Sequence, residues 1–154
     1  MQKATEADEA QAAWPPRSLA ERLAFLLKHA QMRVVALAEP ALDPLGIDGR
    51  EFGLLVFFAD EGSLSQQEAA QRLGIDRTTM VALIDGLEGK GLVERRPHHE
   101  DRRKNTVDLT GAGRDLLTAA KRSIEAAEQQ FLAPLSAADA QRFVHMLQAL
   151  VSAE

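Results

Sequence analysis

The sequence of 154 residues contains no cysteine. Disulfides, thiolate metal sites and cysteine-based redox sensing are therefore excluded, and a cytoplasmic protein is expected. No apolar run is long enough to span a bilayer, so no membrane partner is expected. Residues 1–17, MQKATEADEAQAAWPPR, are acidic and lack an apolar stretch, which speaks against a signal peptide. There is no G-x-S-x-G, no P-loop and no His/Asp/Glu group with metal-ligand spacing, so neither an enzyme nor a cofactor-bearing protein is expected. An excess of positive charge is also missing. Lys and Arg number 18 against 23 Asp and Glu, a net −5, which argues against a protein coated in nucleic acid. One basic face on an otherwise acidic body remains compatible with that balance.

What is present reads as one globular domain. Hydrophobic residues make up 45% and charged residues 27%, proportions that support a packed core. After the tail of residues 1–17, which contains Trp14, a helix is expected from Ser18, ended by Pro40 and the Pro44-Leu45-Gly46 cluster. Leu19, Leu23, Leu26, Leu27, Ala30, Val34 and Leu37 recur on it at spacings of three and four. Phe25, Met32 and Val35 lie off that stripe, so this helix is apolar on more than one face and should pack on more than its own core.

Cap signals divide the middle of the chain. Asp48 with Glu51 opens a helix through Phe52, Leu55, Val56, Phe57 and Phe58. Ser65 with Glu68 forms a second capping box before a short helix that Gly74 stops. Asp76 caps a third helix, in which Met80, Leu83, Ile84 and Leu87 form one stripe expected to be buried. Residues 92–95 and 106–109 read as two short strands joined by a polar loop, a β-hairpin. Thr110 then caps a long helix that Pro134 breaks, and Ser136 caps the last one. The fold class expected is mostly α (α+β), a helix-turn-helix followed by a wing.

The stretch VERRPHHEDRRKN, residues 93–105, gathers five cations against three acids. Placed after a capped helix-turn-helix, such a run fits contact with a polyanion. Burial of the Met80 stripe leaves Arg77, Thr78, Val81, Ala82 and Asp85 outward, and the start of this helix can enter a DNA major groove. Free N–H groups at the nearby helix start of Ser65 and Gln66 can hold phosphate. Arg102, Arg103 and Lys104 at the hairpin tip can enter the narrow minor groove, with Arg95 in the same cationic run.

These residues resemble the MarR (multiple antibiotic resistance regulator) family of winged-helix transcription factors. The likeness is carried by LSQQEAAQRLGIDRTTM, LIDGLEGKGLVER and DRRKNTVDLTGAG, the last fitting the family's D-x-R…V-x-L-T-x-x-G wing signature. It is closest over residues 64–113 and extends over most of 19–151. It implies that Asp101 orients the wing, that Arg103 reaches the minor groove, and that Arg77, Thr78 and Thr79 open the recognition helix. Val81 and Ala82 depart from the polar-then-basic pair frequent in the family, which leaves apolar contact with a thymine methyl at those positions.

The resemblance also implies a homodimer. Residues 18–46 and 110–154 would supply dimerisation helices around a DNA-binding region at 47–109, and two recognition helices would meet a pseudo-palindromic operator in double-stranded DNA. The function expected is a repressor released by a small aromatic or phenolic effector. Arg22, His29 and Arg33 are candidates to pair with such an anion, with Met32 and Phe57 as apolar walls, while His145 reads as an interface or surface residue. Two other readings are a winged helix that docks a protein without DNA, and a metal-responsive regulator. His98 and His99 invite the latter, but adjacent side chains of an extended hairpin point to opposite faces, which spoils joint chelation.

Overall fold

A computed structural model describes residues 17–97 and 105–153. The elements are helices α1 (Arg17–Ala20), α2 (Leu23–Leu42), α3 (Gly49–Glu61), α4 (Gln66–Leu73), α5 (Arg77–Gly89), α6 (Gly111–Leu132) and α7 (Ala137–Val151), and strands β1 (Leu64–Ser65), β2 (Val93–Pro97) and β3 (Asn105–Leu109). A short 3₁₀ turn, Asp43–Leu45, follows α2. Trp14, His98, His99, Glu100, Asp101, Arg102, Arg103 and Lys104 lie outside the described residues. Among the described residues no helix is long and apolar enough to cross a membrane.

The caps form where the sequence places them. Asp48 Oδ1 accepts the N–H of Arg50 at 2.9 Å and of Glu51 at 2.8 Å, and Glu51 Oε2 accepts the Asp48 N–H in return. Ser136 Oγ accepts the Asp139 N–H at 3.2 Å to start α7. At the head of α6, Thr110 Oγ1 accepts the Gly113 N–H at 3.0 Å while its hydroxyl donates to Gly91 O at 2.7 Å. The Thr110 N–H donates to Leu92 O. These bonds bring α6 so close to the α5–β2 turn that a Cβ on Gly113 would stand 2.0 Å from the Leu92 carbonyl oxygen. Only glycine fits there.

Three expectations need correction. The first helix is interrupted, because Arg22 is extended (φ −91°, ψ 120°) and caps α2 without a side-chain bond. Leu19 and Leu23 are both exposed, and an apolar stripe alone does not hold the chain helical across that point. Pro40 does not end α2, which continues to Leu42. A proline at helical φ removes one hydrogen bond, and Leu42, buried completely in the core, holds the last turn in place. The chain leaves the helix only at Gly46, whose φ of +69° is left-handed.

The third correction concerns the sheet, which has three strands in the order β1-β3-β2 rather than a hairpin alone. Antiparallel β2 and β3 pair Val93 with Leu109, Arg95 with Val107 and Pro97 with Asn105. β1 adds Leu64 opposite Val107 and Ser65 opposite Thr106. Two residues show no alternation to read, and β1 exists only because β3 offers it a partner.

One core joins α2's last turn, α3, α4, α5, the sheet and α6. Leu42, Leu55, Ile84 and Leu87 are fully buried within it, and Ala120 brings α6 onto it. Leu83 of the predicted stripe is only half-buried. The remaining surface of α2 and α7 is different. Leu23 is 67% exposed and Met32 58%, and α7 has no fully buried residue.

Candidate nucleic-acid interface

The site is built by the turn between two short helices. Ser65 Oγ accepts the Glu68 N–H at 3.2 Å, and Glu68 Oε2 accepts the Ser65 N–H at 3.0 Å, which sets the start of α4. Gly74, at φ +63°, ends it. Asp76 starts α5: its Oδ1 accepts the Thr79 N–H at 3.0 Å and its Oδ2 the Thr79 hydroxyl at 2.5 Å. The Thr79 hydroxyl, followed by the Thr79 N–H, holds the Asp76 carboxyl below the ordinary carboxylate value. A charged cap is thereby maintained at the positive end of the helix dipole.

A cleft of about 480 Å³ opens between α4, α5 and the wing strands. Its wall contains Ser65 and Gln66 from the start of α4, Arg77 and Val81 from α5, and Arg95 from β2. Five of the residues expected at DNA therefore share one concave face, although they lie on four elements. Thr78 and Ala82 are exposed on α5 but do not line it. Sequence reasoning missed Gln67, Gln71 and Asn105, which also line the cleft. A signal was available, since Gln67 and Gln71 are four apart on one helix and Asn105 directly follows the cationic run.

Two of the expected contacts are engaged otherwise. Thr79 spends its hydroxyl on Asp76 and faces a second, mostly apolar cavity of about 340 Å³ between α3, α4 and α5, with Leu54, Leu73, Ile75 and Leu83. Arg95 is drawn onto α5. Its Nη2 donates to Asp85 Oδ1 at 2.5 Å, its Nη1 donates to Glu88, and its backbone N–H reaches Glu88 Oε1 at 3.3 Å. Burial works against the guanidinium charge, but the hydrogen bond to Asp85 and the attraction of Glu88 and Asp85 outweigh it and raise its pKa further. Arg95 thus braces the wing against α5, and Arg96 beside it pairs with Glu94.

Five residues are expected at an effector. Neither cavity is lined by Arg22, His29, Met32, Arg33 or Phe57. Arg22 is exposed at the start of α2, Arg33 is exposed on it and Met32 projects outward. His29 stacks on Phe25 with ring centroids 3.8 Å apart, its Nδ1 at 2.9 Å from Phe25 O. Phe57 sits edge-on to Phe58. Periodicity placed His29, Met32 and Arg33 on one helix, but not the break at Arg22, and it carries no information on the distance from α2 to Phe57 of α3. Among the described residues no group of three or more His, Cys, Asp or Glu could hold a metal ion.

A capped helix-turn-helix, a three-stranded sheet with a wing, and an outward α5 beside a concave polar face define a winged-helix DNA-binding protein. The comparisons agree. The MarR family profile matches residues 45–104. The HTH-type transcriptional repressor Rv2887 of Mycobacterium tuberculosis is 32% identical over 124 residues, 78% of this chain and 89% of that one. The crystal structure of Rv2887 in complex with DNA superposes with a TM-score of 0.75 at 30% identity, covering 85% of this chain and 98% of that one. CouR of Rhodococcus jostii, bound to a 23-mer DNA duplex, reaches 0.81 at 31% identity over 88% of this chain and 96% of that one. BpsR of Bordetella bronchiseptica, whose DNA binding is regulated by 6-hydroxynicotinic acid, reaches 0.78 at 26% identity over 90% and 99%. The chain belongs to the MarR family. It is a DNA-binding transcriptional regulator, and the family is one of regulators rather than enzymes.

Proposed function

We propose that the chain is a homodimeric repressor that places α5 of each copy in successive major grooves of a pseudo-palindromic operator. The observation that carries this reading is the shared cleft face: Arg77 and Val81 of α5 stand beside the α4 start and the wing strands. On this reading Arg77 and Thr78 meet base edges, Val81 and Ala82 meet a thymine methyl, and the N–H groups at Ser65 and Gln66 hold a phosphate. Arg102, Arg103 and Lys104 of the wing supply the minor-groove contact, and Asp101 orients the wing. Residues 47–109 form the DNA-binding region. Residues 18–46 and 110–154 form the dimer arms, supported by the exposed apolar side chains of α2 and α7.

The effector is a small aromatic anion. BpsR responds to 6-hydroxynicotinic acid and CouR binds p-coumaroyl-CoA, and both are relatives of this fold. In the dimer the exposed α2 cations Arg22 and Arg33, with His29 and Met32, face the partner copy and complete a pocket that one copy leaves open. The effector must favour a lobe spacing that does not fit DNA, and a preference of about 1–3 kcal/mol would release operator 5- to 150-fold.

Selection of duplexes from random sequence on the full chain, followed by sedimentation of the complex, tests the core of the reading. An inverted repeat bound by two copies is expected; an asymmetric site bound by one copy would sink it. Calorimetry with aromatic carboxylates, with and without the selected duplex, tests the effector. Equal affinity in both states would rule the compound out as a switch.

A further inference from the structure

The recognition helix is tied at its far end as well as at its cap. Lys90 follows the last residue of α5. Its Nζ donates at 2.7 Å to each oxygen of the Glu51 carboxylate and at 2.7 Å to the Gly46 carbonyl. An ammonium has three N–H bonds, and here three acceptors surround it. Glu51 is one of the few charged residues that are buried, at 8% exposed. α5 runs directly over it, since a Cβ on Gly86 would stand 3.7 Å from Glu51 Oε1.

The acceptors belong to different parts of the molecule. Glu51 lies in the first turn of α3, where its other role is to accept the Asp48 N–H. Gly46 closes the turn that ends α2, the long arm helix with its exposed apolar face. Lys90 therefore joins the end of the arm, the start of α3 and the end of α5 through one nitrogen. Charge reinforces the arrangement, with an anion at a helix N-terminus and a cation at a helix C-terminus.

We propose that Lys90 is a positioning residue for operator recognition: with Glu51 and Gly46 it sets the angle of α5 relative to the arm, and so the spacing of the two recognition helices. A shift of the end of α2 is carried to α5 through the Gly46–Lys90–Glu51 junction rather than through the hydrophobic core alone. The proposal rests on α5 being the element that reads DNA.

Stability and positioning are separated by choice of variant. Lys90→Met alone leaves a buried, unpaired carboxylate and is expected to destabilise the fold. Glu51→Gln/Lys90→Met removes both charges while the glutamine oxygen still accepts the Asp48 N–H, so thermal stability should return close to wild type. Affinity is then measured for the duplex selected on the wild-type chain and for a shuffled duplex of equal length, at two salt concentrations. The double variant should lose on the order of ten-fold in affinity for the selected duplex, the scale of one charge-assisted tie. Affinity for the shuffled duplex and the salt slope should stay unchanged. Should the double variant fail to fold, Lys90→Gln keeps a donor towards Glu51 without the reach to Gly46, and the same loss of discrimination is expected.

Recovery of selected-duplex affinity together with stability would reduce the junction to a fold-stabilising tie and overturn the proposal. Equal weakening on both duplexes, with a salt slope flatter by about one unit, would make Lys90 a phosphate contact and overturn it as well. If the wild-type chain itself fails to discriminate the two duplexes, the DNA reading of α5 falls first and the proposal with it.

Discussion

The DNA-facing lobe, from α3 to β3, and the arms, α2 with α7, solve the burial of apolar surface in opposite ways. In the lobe, Leu55, Ile84 and Leu87 are wholly enclosed by side chains of the same copy. In the arms, Leu150 is 67% and Val151 85% exposed, and α7 has no fully buried residue. Both regions have clear helical stripes, and α7 is side-chain capped as the lobe helices are. The difference shows that amphipathicity specifies a face to cover but not what covers it: the lobe's elements cover one another, whereas apolar side chains of α2 and α7 stay exposed.

The widest separation between the two regions is expected from truncating matched side chains. Ile84→Ala should destabilise the fold by about 2–5 kcal/mol, because the side chain is fully enclosed and leaves a cavity. Leu150→Ala should move unfolding in urea by well under that at low concentration. Comparable losses at both sites would mean that the arms are buried within one copy. Gly113→Ala probes the junction between the regions. With a carbonyl oxygen 2.0 Å from the new Cβ, α6 must shift away from the α5–β2 turn, at a cost of about 1–3 kcal/mol in chemical denaturation.

Function divides along the same line. Arg77→Ala should weaken binding to a selected duplex by about 1–3 kcal/mol and relax base choice at its position, with dimerisation unchanged. Leu150→Asp should do the reverse, raising the dimer dissociation constant in sedimentation while leaving the lobe's thermal unfolding nearly intact. A variant of either kind that disturbed both properties equally would erase the division. The smallest effect concerns Asp76. Its carboxyl titrates below the ordinary value in the folded chain, so its contribution to the α5 cap is complete above that value and is lost as pH falls through the lower, folded one. Asp76→Asn should remove this acid-dependent component from a pH titration of folding stability; an unchanged acid limb would show that the cap does not depend on the charge.

Legibility followed the range of the physical cause. The caps at Asp48, Ser65, Asp76, Thr110 and Ser136 were readable because each needs only residues within three positions of itself. The outward positions of Arg77, Thr78 and Ala82 followed from the buried stripe opposite. The bracing of Arg95 by Asp85 and Glu88 was not readable, since ten and seven residues of chain and a turn intervene. Nor was the pairing of β1, the break at Arg22 or the passage of α2 through Pro40. Each depends on whether a distant element offers a partner or a core contact. The relation of Phe57 to the α2 candidates was not readable either, as helical phase orders residues along α2 but carries no distance to α3.

By itself the sequence determined the starts of the five capped helices α3 to α7, the strand pair of the wing, the family and the face of α5 that is left outward, because capping, periodicity and a local signature act over a few residues. Tertiary structure alone decided the third strand, the commitment of Arg95 to α5, the close approach at Gly113 and the Lys90 junction. These arise when helices and strands far apart in the chain meet, and hydrogen-bond and van der Waals forces are then fixed by distances that no linear pattern encodes.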